Sequence, residues 1–308
     1  MTAEGLRATL IACTASGRGV ATRVAGTVAA RLRTAVARLD QVVPDTADHM
    51  TLAMRRAVDK GEDVLVVLGG DGAAHAAAQA CAETGTALAV LPGGTGNDLA
   101  RALGMPADPV AATNTVVRSL RDGTRRRIDV GRLADGPCFT TVLCAGFDSA
   151  VSERVNRMRW PRGRRRYDLA ILAELGTLRA RPLVVTTANR RWELDATLVA
   201  VGNTAWYGGG VPICPTADAT DGLLDVTVVG QVGRADLLRI LPKLRTGGHV
   251  DHPAVTTVRA AAVSLAGNDA WISYADGERM RPLPVDIRCA PGALSVVTSR
   301  EYPDGGQV

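Results

Sequence analysis

Two glycine-rich turns carry residue types and spacings that could bind a phosphate group. They are Gly69-Gly70-Asp71-Gly72 and Gly94-Thr95-Gly96-Asn97-Asp98. A short apolar run precedes each turn and a helix-like stretch follows it, so backbone N–H groups and the positive end of a helix can face one anion. Together the two turns predict a phosphate site.

Asp71 and Asp98 give each of these turns a carboxylate. Both are expected at the carboxyl ends of strands, where open α/β sheets bind ligands. A carboxylate beside a phosphate repels it unless a cation lies between them, so the pair implies Mg²⁺ held largely through water. The alternative interpretation is two ordinary strand-to-helix turns, in which glycine supplies a positive φ and aspartate caps a helix.

Other common nucleotide motifs are missing from the sequence. The only lysines, Lys60 and Lys243, do not follow a glycine, so there is no Gly-Lys-Ser/Thr loop. The third glycine of the dinucleotide fingerprint is replaced by His75. There is also no Gly-x-Ser-x-Gly elbow, which argues against an α/β-hydrolase.

Three further motifs follow the glycine turns, namely Gly202-Asn203 with Gly208-Gly209-Gly210, Asp221-Gly222-Leu223-Leu224-Asp225-Val226, and Asp276-Gly277-Glu278. In this order and spacing, the five motifs resemble those of the diacylglycerol kinase catalytic-domain family, which also contains sphingosine and ceramide kinases. The resemblance covers nearly the whole chain. It departs from the family pattern at Cys13-Thr14-Ala15, where Asn-Pro is usual, and at Ala73, where threonine is usual.

The resemblance implies an ATP-dependent lipid kinase that phosphorylates the hydroxyl of diacylglycerol or a related lipid. ATP is expected on the two glycine turns, with Mg²⁺ organised by Asp71 and Asp98. Ser16, Gly17, Arg18 and Thr46 are further candidate cofactor-binding residues. Two alternatives stay open, namely a non-catalytic nucleotide or lipid-binding module and a small-molecule kinase similar to NAD kinase.

The Asp276-Gly277-Glu278 motif offers the proton acceptor that phosphorylation of a hydroxyl requires. The resemblance makes Glu278 the base and Asp276 a supporting or metal-linked group. Together with Asp71 and Asp98, they form the candidate catalytic set. As sequence alone, Asp-Gly is simply a turn signal.

A second Mg²⁺ is implied by the resemblance near the Asp221-Gly222 turn. Its ligands would be the carboxylate of Asp221 and nearby backbone carbonyls, with Asp218 and Leu223 as the flanking ligands. Without the resemblance, this segment could be only a hairpin turn.

The order of apolar runs predicts two domains. Residues 1–127 alternate strand and helix, which predicts a parallel sheet flanked by helices and a nucleotide-binding α/β domain. Residues 128–290 are rich in candidate strands, which predicts an antiparallel β-sandwich with inserted helices. The resemblance makes this second domain the one that binds the lipid. The resemblance implies the same architecture, in which segment 291–308 returns to the first domain and the active site lies in the interdomain cleft.

Local patterns in the first domain make finer predictions. Apolar residues recur at helical spacing from Val20 to Leu39. A second helix is expected after the Asp45/Thr46 cap, with Leu52 and Val58 on its apolar face.

Charge and composition restrict the partners. The net charge of +5 and the pI of about 9.1 favour anionic partners. Six arginines lie between 157 and 166 around Trp160, a run that could be a solvated loop or could dock on anionic lipid headgroups. Nucleic acid is disfavoured, since the chain has only ten aromatic residues and no recognition module.

The six cysteines form no Cys-x-x-Cys pair and are expected to be reduced core residues. No apolar run approaches the ~18 residues that a membrane-spanning helix requires. We therefore expect a cytoplasmic protein that associates peripherally with the membrane. Exposed strand edges are compatible with a homodimer.

Overall fold

A computed structural model describes residues 5–13, 19–134, 136–146, 180–268 and 271–299. Its N-terminal region alternates strands with helices. In chain order they are β1 (Arg7–Ala12), α1 (Val20–Leu32), β2 (Arg38–Val42), α2 (Ala47–Asp59), β3 (Val64–Gly69), α3 (Asp71–Cys81), β4 (Ala87–Pro92), α4 (Asp98–Ala102) and α5 (Pro109–Arg121).

The strands of the N-terminal region form a parallel sheet in the order β4-β3-β1-β2. Strands β3 and β4 are buried along their whole length, because helices cover both faces and leave no polar alternation. Parallel pairing brings the carboxyl ends of β3 and β4 together, with Gly69 opposite Pro92. This register places the two glycine turns side by side.

The C-terminal region is mostly antiparallel. Its elements are β5 (Arg126–Leu133), β6 (Cys138–Phe139), β7 (Val142–Gly146), β8 (Arg181–Thr187), β9 (Arg191–Gly202), β10 (Trp206–Tyr207), β11 (Val211–Pro212), β12 (Leu224–Gly230), α6 (Arg234–Leu244), a 3₁₀ turn (Gly248–Asp251), β13 (Val255–Ala260), β14 (Ala262–Gly267), β15 (Ile272–Ala275), β16 (Glu278–Pro282) and β17 (Val285–Val296).

The central strands of the C-terminal region have an apolar side chain on each face. Leu143, Val199 and Val226 pack in one core cluster. Their chain neighbours Val142 and Leu198 pack in another, against the loop at Ile213 and Cys214. Since side chains alternate across a strand, both faces of these strands are covered. The expected α/β region followed by a β-rich region is confirmed.

Strand β17 joins the two regions. Its first residues pair with β14, most of the strand pairs antiparallel with β5, and Val296 near its end pairs in parallel with Leu88 of β4. The last of these pairings attaches the end of β17 to the parallel sheet of the N-terminal region. The domain boundaries at 127, 128, 290 and 291 stay predictions.

Two local expectations were wrong. The helix ends at Leu32, and Leu39 lies in β2 rather than continuing the helix. Among the described strands, β2 pairs only with β1, so it is a half-exposed edge strand. Its polar residues interrupt the apolar run by which a buried strand is recognised in the sequence. On α2, Val58 packs against the core as expected, but Leu52 is exposed, and Met54 and Ala57 are the fully buried residues.

Candidate active site

The two glycine turns touch through their backbones. Gly93 donates its N–H to the carbonyl of Gly69 over 2.7 Å. A Cβ added at Gly94 would lie 2.5 Å from the Cα of Gly70, which is closer than any real contact. Glycine at position 94 is therefore required for this close approach.

Asn97 closes the second turn on itself. Its backbone has a φ of 57°, in the left-handed region that asparagine tolerates better than most residues. Its Oδ1 accepts from the N–H of Gly94 over 2.8 Å, and its Nδ2 donates to the carbonyl of Gly94 over 3.0 Å. The side chain thus fixes the shape of the Gly94–Asn97 loop.

Asp71 joins the first turn to the second. Its Oδ2 accepts from the N–H of Asn97 over 3.0 Å, and its Oδ1 accepts from the N–H of Asp98 over 2.7 Å. A Cβ on Gly96 would overlap the same Oδ2. Because Gly70 supplies no capping side chain, the first N–H groups of α3 remain available to an anion.

Asp98 joins the N-terminal region to the C-terminal region. Its carboxylate is buried and accepts from the N–H of Gly209, over 2.9 Å to Oδ2 and 3.1 Å to Oδ1. Burial raises the pKa of Asp98, the backbone N–H groups of Gly209 and Gly210 oppose that rise, and the neighbouring Asp71 charge adds to it. The Gly208-Gly209-Gly210 motif is therefore placed against the second glycine turn.

The donor set of Asp71 and Asp98 fits a magnesium ion held through water. Both carboxylates lie beside Gly96, since a Cβ there would overlap Asp71 and lie 3.6 Å from Oδ2 of Asp98. Each carboxylate oxygen has about two lone pairs, so the N–H bonds leave capacity for water. Two neighbouring negative charges beside a phosphate also favour a divalent cation.

Glu278 approaches the first glycine turn from the C-terminal region. A Cβ on Gly72 would lie 3.0 Å from Oε1 of Glu278. The residue is exposed at the start of β16. The absence of a side chain at position 72 thus leaves room for a carboxylate at the N-terminus of α3.

Asp276 lies in the same hairpin turn but in a different environment. Its Oδ1 accepts from the N–H and hydroxyl of Thr141, and its Oδ2 accepts from the N–H and hydroxyl of Thr140. His75 Nδ1 lies 2.9 Å from Oδ2. Burial alone would raise the pKa of Asp276, but the donors of His75, Thr141 and Thr140 outweigh it and lower the pKa.

Thr140 and Thr141 reach Asp276 because the apolar run from Phe139 to Cys144, which the sequence pattern predicts to be one strand, is interrupted. The structure ends β6 at Phe139 and begins β7 at Val142. The two threonine N–H groups between these strands point to the carboxylate instead of a strand partner. A buried acceptor therefore accounts for a break that the apolar pattern did not predict.

His75 is the site residue that the sequence interpretation missed. Burial alone would lower the pKa of His75, but the hydrogen bond and charge of Asp276, together with the charge of Glu278, raise it. Gln79 lies next to it and also bonds to both the carbonyl and the N–H of Cys138. Asp71, His75 and Gln79 recur every fourth residue in an otherwise alanine-rich helix, and this polar stripe was the available signal.

The other residues that were predicted to bind the nucleotide add little to the description of the site. Ser16, Gly17 and Arg18 lie outside the described residues. Thr46 is the N-cap of α2, and its hydroxyl accepts from the N–H of His49 over 3.1 Å. A groove of about 530 Å³ lies elsewhere, beside Glu83 and residues 290–293, and contains none of the predicted site residues.

The predicted second metal site has a different arrangement. Asp218 accepts from the N–H and hydroxyl of Thr220. Asp221 accepts from the N–H of Leu223 and forms an ion pair with Arg259. In the described ranges, no three acidic, histidine or cysteine side chains form a metal-binding group. Arg259 therefore supplies a positive charge beside Asp221, where the resemblance implied a Mg²⁺ ion.

Two further observations concern the whole described chain. All six cysteines are buried free thiols, as expected. Among the helices that the structure describes, none combines the length and the apolar character needed to cross a membrane. The arginine run at 157–166 lies outside the described residues.

Comparison with known proteins assigns the chain to a family. Residues 7–133 match the model of the diacylglycerol kinase catalytic domain, and residues 141–298 match the YegS C-terminal NAD kinase beta sandwich-like domain. A diacylglycerol kinase of Mycobacterium tuberculosis (strain ATCC 25618 / H37Rv) is 42% identical over 291 residues, which cover 92% of this chain and 93% of the relative. A Pseudomonas aeruginosa protein named "Probable lipid kinase YegS-like" is 31% identical over 246 residues, 79% of each chain.

Solved structures share the fold. A crystal structure from Bacillus anthracis str. Sterne aligns with a TM-score of 0.81 at 23% identity and covers 97% of both chains. The crystal structure of a diacylglycerol kinase from the same organism aligns with a TM-score of 0.73 at 20% identity, over 97% of this chain and 98% of that one. With the two family domains in order along one chain, this protein belongs to the diacylglycerol kinase catalytic-domain family of lipid kinases.

Proposed function

We propose that this kinase transfers the γ-phosphate of ATP to the hydroxyl of diacylglycerol or a closely related lipid. The family supports a lipid kinase, and the name of the Mycobacterium tuberculosis relative supports diacylglycerol as the first substrate to test. The two glycine turns support a nucleotide phosphate as the donor, because they present backbone N–H groups at the start of α3 and beside α4.

The observation that carries the proposal is the placement of Glu278 against Gly72. A carboxylate from the C-terminal region lies at the start of the phosphate-binding helix from the N-terminal region. A lipid hydroxyl bound between them would have a proton acceptor on one side and the γ-phosphate on the other. This is the arrangement that general-base phosphoryl transfer requires.

In the proposed reaction, the lipid hydroxyl oxygen forms a bond to the γ-phosphorus while the bond from that phosphorus to the β–γ bridging oxygen breaks. Glu278 accepts the hydroxyl proton, and ADP leaves with the electron pair of the broken bond. The products are the lipid phosphate, ADP and a protonated Glu278 that returns its proton to water.

The other site residues bind and position the reactants. The N–H groups of Gly70–Gly72, Thr95 and Gly96 bind phosphate oxygens, while Asp71 and Asn97 keep the two turns together. Asp71 and Asp98 would hold Mg²⁺ through water, and the ion would neutralise charge on the transferred phosphoryl group. Asp276 anchors the hairpin that carries Glu278 to His75 on α3.

The lipid substrate also requires access to a membrane surface. We propose that the arginine run at 157–166 docks on anionic headgroups, at about 1 kcal/mol for each base near the surface. Replacing Arg162, Arg164, Arg165 and Arg166 with serine should then weaken sedimentation with anionic vesicles. Unchanged vesicle binding would contradict the docking. We also propose that the protein forms a homodimer and does not bind nucleic acid.

The substrate is tested by incubating the purified protein with γ-³²P-labelled ATP and separate candidate acceptors. The panel contains diacylglycerol, ceramide and sphingosine in mixed micelles, and NAD in solution. We expect wild type to transfer the label to diacylglycerol and Glu278→Gln to lose this transfer. Label in NAD alone would favour the small-molecule kinase, and nucleotide binding without transfer to any acceptor would favour the non-catalytic module.

A further inference from the structure

The turn before β12 concentrates negative charge. Asp218 and Asp221 lie in the turn, Asp225 lies on β12, and the buried Asp129 contacts the same turn by accepting from the N–H of Gly222 over 2.7 Å. Four carboxylates within one short region repel one another unless donors or a cation offset their charge. The resemblance to the family implied a metal ion as that cation.

Arg259 is the cation that the structure places at this turn. It lies on β13 directly opposite Asp225 in the antiparallel pairing of β12 with β13. Its Nε donates to Oδ2 of Asp225 over 3.2 Å, and its Nη2 is ion-paired with Oδ2 of Asp221. One guanidinium therefore bridges the strand carboxylate and the turn carboxylate.

The remaining oxygens of the two carboxylates also have protein partners. Oδ1 of Asp221 accepts from the N–H of Leu223 over 2.9 Å, and Oδ1 of Asp225 accepts from the hydroxyl of Thr216 over 2.5 Å. Asp225 has a side chain only 7% exposed, whereas Arg259 is 45% exposed. The guanidinium thus covers a buried carboxylate from the solvent side.

A magnesium ion and a guanidinium impose different requirements on this turn. Mg²⁺ demands near-octahedral oxygen ligands and keeps several waters. An arginine is always charged, and its planar fork can bond two carboxylates at once. The observed contacts of Asp221 and Asp225 with neighbouring nitrogens of one fork match the second case.

We propose that the guanidinium of Arg259 takes the position that a divalent ion would otherwise occupy beside Asp221, so that this turn folds without metal. The pairing of Arg259 with Asp225 is fixed by strand register, and the reach to Asp221 follows from the length of the side chain. This proposal concerns folding and stands apart from the proposed kinase activity.

The test measures thermal unfolding of the nucleotide-free protein in EDTA and in millimolar MgCl₂ at matched ionic strength. Any shift that Mg²⁺ causes in wild type should come from the carboxylates of Asp71 and Asp98, which Arg259 does not contact. Arg259→Met keeps the aliphatic stem but removes the charge, and should lower the unfolding temperature by about 2–4 °C in EDTA. MgCl₂ should recover some of that loss, so its effect should be larger in Arg259→Met than in wild type.

Arg191→Met is the matched control, because Arg191 pairs with Glu193 on an exposed surface. It should show little loss and the same response to Mg²⁺ as wild type. Full stability of Arg259→Met in EDTA, or a Mg²⁺ response in Arg259→Met that is no larger than in wild type, would each overturn the proposal. If Arg259→Met does not fold, Arg259→Gln takes its place, since it also removes the charge and should show the same larger recovery in MgCl₂.

Discussion

Asp276 and Glu278 are two carboxylates on one hairpin turn, and they have opposite environments. Asp276 is buried and surrounded by five donors from His75, Thr140 and Thr141. Glu278 is exposed and lies against the bare backbone of Gly72. The carboxylate of Asp276 is therefore fully hydrogen-bonded, whereas that of Glu278, two residues later in the chain, can still accept a hydrogen bond.

This difference separates positioning from chemistry. The pKa of Asp276 is lowered by its donors, so it is a poor proton acceptor despite its position in the motif. Its contact with His75 instead ties the hairpin to α3, the helix that begins at the phosphate turn. We infer that Asp276 holds the turn in place and Glu278 accepts the proton.

The largest effect on stability is expected from Asp276→Asn. The amide removes the charge that five donors surround and turns an NH₂ group toward them. Breaking a buried ion pair on one side costs about 3–5 kcal/mol of the free energy of unfolding. Urea denaturation measures this loss, and Glu278→Gln on the same turn is the control that should stay near wild type. Equal stability of the two variants would remove the contrast between the carboxylates.

A pH-dependent effect is expected from the His75 side of the contact. The pKa of His75 is raised above its usual 6.5, so the contribution of the protonated ring is complete below pH 6.5 and is lost as pH rises through the folded-state pKa. The pKa of Asp276 is lowered below its usual 3.8, so its contribution is present above pH 3.8 and is lost as pH falls through the folded-state pKa.

The stability difference between wild type and His75→Gln should therefore be greatest between pH 4 and 6.5 and fall by about 1 kcal/mol at alkaline pH, where a charged hydrogen bond becomes a neutral one. Chemical denaturation across pH measures it. His49→Gln is the matched control, because His49 pairs with Asp45 in the open. A pH-independent difference at His75 would show that the ring stays neutral.

The smallest structural change is Gly72→Ala. The added Cβ would lie 3.0 Å from Oε1 of Glu278, and the flexible side chain can move away at little cost. Stability should stay near wild type, while kcat should fall roughly tenfold because the base is displaced. Steady-state kinetics with a lipid substrate measure this effect. An unchanged kcat would place the reacting hydroxyl away from Gly72.

Much of this fold could be predicted from local patterns. The buried runs that became β3 and β4 and the glycine turns after them carried strong signals, because parallel strands need no polar alternation. The edge strand β2 did not, since half of its surroundings are solvent. Strand β16 carries no strand signal either, because its Glu-Arg-Met-Arg-Pro sequence is mostly exposed and lacks an apolar face.

The candidate site was predictable in position but less so in role. The order of the motifs predicts that Asp71, Asp98 and Glu278 lie in one region. In the structure these three residues do lie around the two glycine turns. Sequence could not show that Asp98 bonds to Gly209 or that His75 bonds to Asp276, because these contacts join residues 111 and 201 positions apart. Such partners depend on how the N-terminal and C-terminal regions pack together.

Phosphoryl transfer and ATP affinity in Glu278→Gln decide whether the exposed carboxylate of the hairpin is the base. Glutamine keeps the size of the side chain but cannot accept the proton. We expect kcat to fall by roughly 10²–10⁴-fold, while the Kd for ATP and the unfolding temperature stay close to wild type. A Glu278→Gln protein with full kcat would contradict this assignment, because the carboxylate against Gly72 would then not be the base.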